Sequence, residues 1–341
     1  MRDIVDFIGN TPLIKLKYPS EITGCNIYGK AEFMNPAGSI KDRTALGIIL
    51  DAEENNLIEP GGTVVEGTFG NTGIALTMIN NARGYKTIIV MPDGASEEKQ
   101  SILRNMGAKL KVVPTKPYSD PGNYQHVSKR LVEDLQSKGE TSVMWANQFD
   151  NTANYKFHSK TTAKEIFNQL DGKVDGFTCA IGSGGTLAGT SIGLKELNSN
   201  IKIACTDPQG AQMYNYFKYS KLEVKGEPSE TEGIGQYRVT KNVEPSLIDF
   251  SYHITDYDAF ELLYKMVKTE GLFLGSSSGV NVAGAIELAK EMGPGKNIVT
   301  ILCDDANKYF SKLYNKEYLL SKNFPYPSGF KILITTKSHS F

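Results

Sequence analysis

The sequence predicts an α/β protein built on open, twisted, mostly parallel sheets with helices on both faces. Two observations carry that prediction: strand-like runs alternate with helix-like ones along most of the chain, and two strand ends run straight into glycine-rich turns. A third concerns size, because a chain of 341 residues is expected to divide its core between two domains.

The first clear unit is "NPAGSIKDRTA", residues 35 to 45. Asn35 to Gly38 is a turn composition, and Ser39 followed three residues later by Asp42 has the look of a capping box, so a helix is expected to start there. Leu46, Ile49 and Leu50 recur at helical spacing behind it. Lys41 falls in the first turn, where unpaired N–H groups and the helix dipole disfavour a cation. It is either an exposed, solvated charge or an amine that is consumed covalently or made nucleophilic by a lowered pKa.

The rhythm continues with "TVVEGT" (63 to 68) before "NTGIALTMINNARG", "TIIVMP" (87 to 92) before "SEEKQSILRNMG", and "LKVVP" (110 to 114) before a polar helix. Further on come "GFTCAIG" before "TLAGTSIGLKEL", then "IKIACTDP", then "NIVTILC" (297 to 303) before "NKYFSKL". Residues 329 to 341 lack this pattern and read as a C-terminal tail.

In such sheets ligands bind at the carboxyl ends of strands. The first glycine turn, Glu66 to Gly73, offers Thr68, Asn71 and Thr72 as hydrogen-bonding side chains, with Asn71 equally able to act as an ordinary N-cap. The second, "GSGGT" from Gly182 to Thr186, is a backbone nest at a helix start, suited to a phosphate. It matches neither the dinucleotide fingerprint nor a P-loop. A reactive lysine with one phosphate cradle points to pyridoxal 5'-phosphate.

Bulk properties narrow the field. A net charge of −1 gives no electrostatic reason to expect nucleic acid or a membrane surface as partner. Four cysteines without a CxxC pair and four scattered histidines indicate no metal site. The opening "MRDIVDFIGN" lacks the features of a signal peptide, and no run is long enough to span a membrane, so a cytoplasmic protein is expected.

From "IGNTPLIKL" (8 to 16) to about Pro327 the chain resembles the cysteine synthase and cystathionine β-synthase family of fold-type II PLP enzymes, whose fold is like that of the tryptophan synthase β subunit. The motifs "NPAGSIKDR", "GNTG", "NQFDNTAN" (147 to 154), "GSGGTLAG", "EGIG" (232 to 235) and "GSSSG" (275 to 279) occur in the family's order. The resemblance implies that Lys41 carries the cofactor and moves the Cα proton, that Asn71 meets the ring hydroxyl, and that Gly182, Ser183, Gly184, Gly185 and Thr186 hold the phosphate. It also implies that Thr68, Phe69, Gly70, Asn71 and Thr72, with Gln148 and Gly233, surround the substrate. A large cofactor-binding domain (1–38 and 147–328), a small mobile domain (39–146) and a homodimer are expected on the same basis; a complex with a serine acetyltransferase is left open.

Three positions depart from the family pattern. Phe69 stands where the loop usually has serine, which bears on substrate choice. In "LCDDANKY" (302 to 309) Asp305 aligns with the serine expected at the pyridine nitrogen, and Cys303 replaces a proline. Glu232 resembles the cystathionine β-synthases and is expected to act as a catalytic acid or base near Cβ. The resemblance therefore implies a PLP-dependent β-replacement enzyme, a cysteine synthase making cysteine and acetate from O-acetylserine and sulfide through an aminoacrylate. The alternatives are a cystathionine β-synthase-like enzyme, a cysteine lyase that releases sulfide from cysteine, and a non-catalytic binding protein on the same fold.

Overall fold

The computed structural model describes residues 3–324 and 326, so the tail expected at 329–341 lies outside the described residues. Ten strands form two sheets among them: β1 (Leu13–Lys15), β2 (Asn26–Ala31), β3 (Thr63–Gly67), β4 (Lys86–Pro92), β5 (Lys109–Val113), β6 (Val143–Trp145), β7 (Gly176–Ala180), β8 (Lys202–Pro208), β9 (Phe250–Ile254) and β10 (Asn297–Leu302). The six-stranded sheet runs β1-β2-β10-β7-β8-β9 and the four-stranded sheet β5-β4-β3-β6. Every pairing is parallel except β1 with β2, as the alternating strand–helix pattern predicts.

Strands in such sheets are covered on both faces, which explains their apolar runs. Along β10, Ile298 and Leu302 enter one core with the helices Asp256–Glu270 and Ser276–Met292, while Val299 and Ile301 enter another with the helix Gly185–Leu197. The alternation follows from the two-residue period of a strand. The smaller sheet is packed the same way: Val64 lies with Leu46, Ile49, Leu76 and Ile79, and Val65 lies with Val132 and Val143.

The small sheet is made wholly of residues between 63 and 145, and the large one of residues before 32 and after 175. β3, β7 and β10 all end where the glycine turns and the "CDD" segment begin, and those ends converge. No helix among the described residues is long and apolar enough to cross a membrane.

Candidate active site

Lys41 opens the helix Lys41–Glu54 as expected, but the capping box does not form in its expected register. Ile40 takes the N-cap place, Ser39 Oγ accepts from Lys41 N at 3.2 Å, and Asp42 reaches back to accept from Ala37 N at 2.6 Å. Burial pushes the Asp42 carboxyl up to about 7. Lys41 is half-buried, and burial lowers its amine below the usual lysine range, against the opposing pull of Cys303, Cys179 and Asp304. Both thiols are pushed up by burial, Cys303 to about 12.

Behind the lysine, Arg43 is clamped by two acids. It gives Nε and Nη2 to Glu32 at 2.8 and 2.9 Å, and Nη1 and Nη2 to Glu165 at 2.7 Å each. Lys30 joins through Glu165 at 2.7 Å. Arg43, Lys30 and Glu32 are fully buried, so the first turn of the lysine helix is fixed from beneath.

In the first glycine turn, Gly70 rather than Asn71 is the N-cap, with φ +137°, a backbone that only glycine adopts readily. A Cβ at Gly70 would also fall 2.6 Å from Lys99 Cδ. Asn71, released from capping, gives Nδ2 to Asp304 Oδ2 at 2.7 Å, and its Oδ1 is buried without a partner among the described residues. Thr68 Oγ1 accepts from Gly70 N at 3.1 Å, and Thr72 Oγ1 donates to Gln148 Oε1 at 2.7 Å. Gln148 is fixed through its carbonyl, which accepts from Asn154 and Asn242 Nδ2 at 2.9 Å each. Beneath it the buried Glu66 carboxyl is pushed up to about 8. Phe69 packs its ring edge-on to Tyr124, with centroids 5.4 Å apart, against the apolar clusters around Ile89, Met91 and Val90.

The second turn is a cradle that side chains would fill. Gly184 caps the helix Gly185–Leu197 at φ +97°. A Cβ at Gly182 would lie 2.3 Å from Gly233 O, and one at Gly185 would lie 2.1 Å from Asn154 Oδ1. Ala188 N reaches Gly184 O at 3.0 Å; the amides before it are the free donors of a helix start. Ser183 Oγ accepts from Asn154 at 2.9 Å, and Thr186 Oγ1 lies 3.4 Å from His158 Nε2. Gly233 sits at φ +80°, its carbonyl against this cradle.

Two anticipated residues are held by partners that the sequence did not foretell. Asp305 caps a short 3-10 helix, with Oδ1 accepting from Asn307 N at 2.8 Å, while its neighbour Asp304 turns inward. Glu232 is held by Lys99 at 2.6 Å and Lys312 at 2.7 Å, which keep its carboxyl below the usual range despite burial. Lys99, Asp304 and Tyr309 were not singled out from sequence; of these, only Asp304 lay beside a residue that was. A separate cleft of about 760 Å³, bordered by Tyr18, Tyr214, Tyr252, Lys265 and Lys290 among others, contains none of these residues.

The donor set fits a phosphorylated pyridine aldehyde: a lysine amine, a glycine cradle at a helix N-terminus, and an amide oxygen without a partner among the described residues. In keeping with that geometry, residues 4–304 match the family of pyridoxal-phosphate dependent enzymes, and the chain belongs to it. Among its relatives, cysteine synthase 1 of Neurospora crassa is 48% identical over 320 residues, 93% of this chain and 84% of that protein. The solved O-acetylserine dependent cystathionine β-synthase of Helicobacter pylori superposes with a TM-score of 0.83 at 33% identity, covering 92% of this chain and 98% of that one. A hydrogen sulfide-producing enzyme of Fusobacterium nucleatum does so at 0.81 and 35%, covering 91% and 99%.

Proposed function

We propose that this enzyme is a cysteine synthase, replacing the acetate of O-acetylserine with sulfide. The observation that carries the reading is the meeting of Lys41, the Thr68–Thr72 turn with Gln148, and the Gly182–Thr186 cradle at the adjoining ends of β3, β7 and β10. The 48% identity to a cysteine synthase supports the choice of substrates.

When bound, pyridoxal phosphate supplies an electron sink that makes the substrate's Cα–H acidic. The amides of 183–186 hold its phosphate, and Asn71 meets its ring. Thr68, the amides from Gly70 to Thr72 and Gln148 hold the substrate carboxylate. Lys41, whose amine burial pushes below the usual lysine range, would attach the cofactor, take the Cα proton and later return one. The Cβ–O bond breaks as acetate leaves, and a Cβ–S bond forms as sulfide enters.

Glu232 is paired with two ammonium groups, which suits a fixed negative charge better than proton transfer. We assign it to holding the helix Glu97–Asn105 against the large sheet. The 39–146 unit closing over the cofactor, a homodimer and a cytoplasmic location complete the proposal; crosslinking and sedimentation of the purified protein test the dimer.

The test is a titration of the cofactor-loaded protein with O-acetylserine and then sulfide, followed by visible absorption and cysteine assay. A change in the band with the first addition, reversed by the second as cysteine appears, supports the synthase. No response to O-acetylserine, with turnover of serine plus homocysteine or sulfide release from cysteine, would replace it with one of the two neighbouring activities. A protein inert to every β-substituted alanine would be a binding protein.

A further inference from the structure

The amide of Asn71 is not free to choose its orientation. Asp304 is fully buried, and its Oδ2 accepts from Asn71 Nδ2 at 2.7 Å and from Tyr309 Oη at 2.6 Å. A carboxylate offers no donor, so the amide must turn its nitrogen to Asp304 and its oxygen away. That oxygen is the buried Oδ1, which has no partner among the described residues.

Asp304 is itself held in place. Its backbone bridges Ser39, two residues before Lys41, and its carbonyl accepts from Gly275 N at 3.0 Å. A Cβ at Gly275 would lie 2.1 Å from Asp304 Oδ1, so the glycine of "GSSSG" is what makes room for the carboxylate. On the far side Tyr309 is pinned by the Lys99 ammonium, 4.2 Å from its ring centre. Asn71 lies at the end of the small sheet and Asp304 at the end of β10 in the large one, so their contact crosses between the two.

We propose that Asp304 is a positioning residue of the cofactor site, which fixes the orientation in which the Asn71 amide meets the ligand. The inference rests on the proposed role of Asn71 at the cofactor ring. It gives the first aspartate of "CDD" a function that the outward Asp305 does not have, and it makes Tyr309 the carboxylate's second anchor.

A double-mutant cycle tests it, because a residue acting through Asn71 has nothing left to position once Asn71 is gone. Asp304→Ala is measured in the wild-type and Asn71→Ala backgrounds by pyridoxal phosphate Kd and by the position of the visible band. We expect about a 10-fold rise in Kd and a shifted band in the wild-type background, and less than about a 2-fold rise with no further shift in Asn71→Ala. Asp304→Asn keeps an acceptor oxygen and is expected to rescue the band. Should Asp304→Ala not fold, Tyr309→Phe takes its place in the cycle with a smaller expected effect. Equal losses in both backgrounds, or an unchanged band in folded variants, would overturn the role of Asp304 alone. A wild-type chain that takes up no pyridoxal phosphate would overturn the functional reading and this inference with it.

Discussion

Lys99 Nζ lies 2.6 Å from Glu232 Oε2, joining the helix that follows β4 to a loop beside the phosphate cradle. Both side chains are under a tenth exposed, and Lys312 completes the cluster from the C-terminal segment while also donating to Gly94 O at 2.7 Å. Because Lys99 packs beneath Gly70, this cluster borders the first glycine turn itself.

Glu232→Gln would leave two ammonium groups facing a neutral amide, and breaking a buried pair in this way costs about 3 kcal/mol. The expected result is a lower melting temperature and a raised KM for O-acetylserine, with kcat within about 10-fold of wild type. A proton-transfer role would instead lower kcat by about 100-fold or more. The pH dependence has a definite sign. The folded carboxyl sits below its ordinary value of 4.5, so its stabilisation is present above that value and is lost as pH falls through the lower folded one. Melting curves of wild type and variant should converge in acid.

Arg43→Lys is expected to destabilise the fold by about 3 kcal/mol, since an ammonium cannot serve Glu32 and Glu165 with the paired N–H bonds that the guanidinium makes. Glu165 is held down to about 2 by Arg43 and Lys30. Its share of stability is therefore complete above the ordinary value of 4.5 and disappears as pH falls toward 2. Urea denaturation at pH 7 and pH 3 measures both effects, and a variant within about 0.5 kcal/mol of wild type would show the network to be dispensable.

The strand–helix units, both glycine turns and Lys41 were legible because each depends on local pattern. β1, β2, β6 and β9 were not read as strands: β1 and β6 are three residues long, β2 carries a glycine and a lysine among its six residues, and every residue of β9 before Ile254 is only half-buried. The order of the large sheet was equally hidden, since β2 and β10 pair across more than 260 residues. At the site the failure was one of parity. Asp304 and Asp305 are adjacent acids beyond a strand end, and which one turns inward is decided by Gly275, Tyr309 and Asn71, of which only Tyr309 is near in sequence. Glu232 was visible as an acid, but its two lysine partners come from separate segments.

Phe69→Ser restores the residue that the resemblance leads one to expect in the turn. The ring is spent on Tyr124 and the small-sheet cores, so its removal is expected to cost about 2 kcal/mol and several degrees of melting temperature. Activity should respond less, with kcat/KM for O-acetylserine within about threefold of wild type. A change beyond about 10-fold, or a switch toward cysteine as substrate, would mean that the ring borders the substrate after all.

Lys41→Met separates function from stability. Loss of the amine should abolish covalent cofactor attachment and lower kcat by several orders of magnitude, read by the visible band and by cysteine assay. The cofactor-free variant, however, should be more stable than the cofactor-free parent, by about 1 kcal/mol, because the parent buries an amine that water would keep charged. The sign follows from linkage. Burial lowers the folded amine below its ordinary 10.5, so the unfolded chain binds the proton more tightly, and wild-type stability rises with pH between the folded and unfolded values. The advantage of methionine is then fully present below the folded value and fades as pH approaches 10.5. Melts of both cofactor-free proteins at pH 7 and pH 10 distinguish this from simple repacking, in which the advantage would not change with pH.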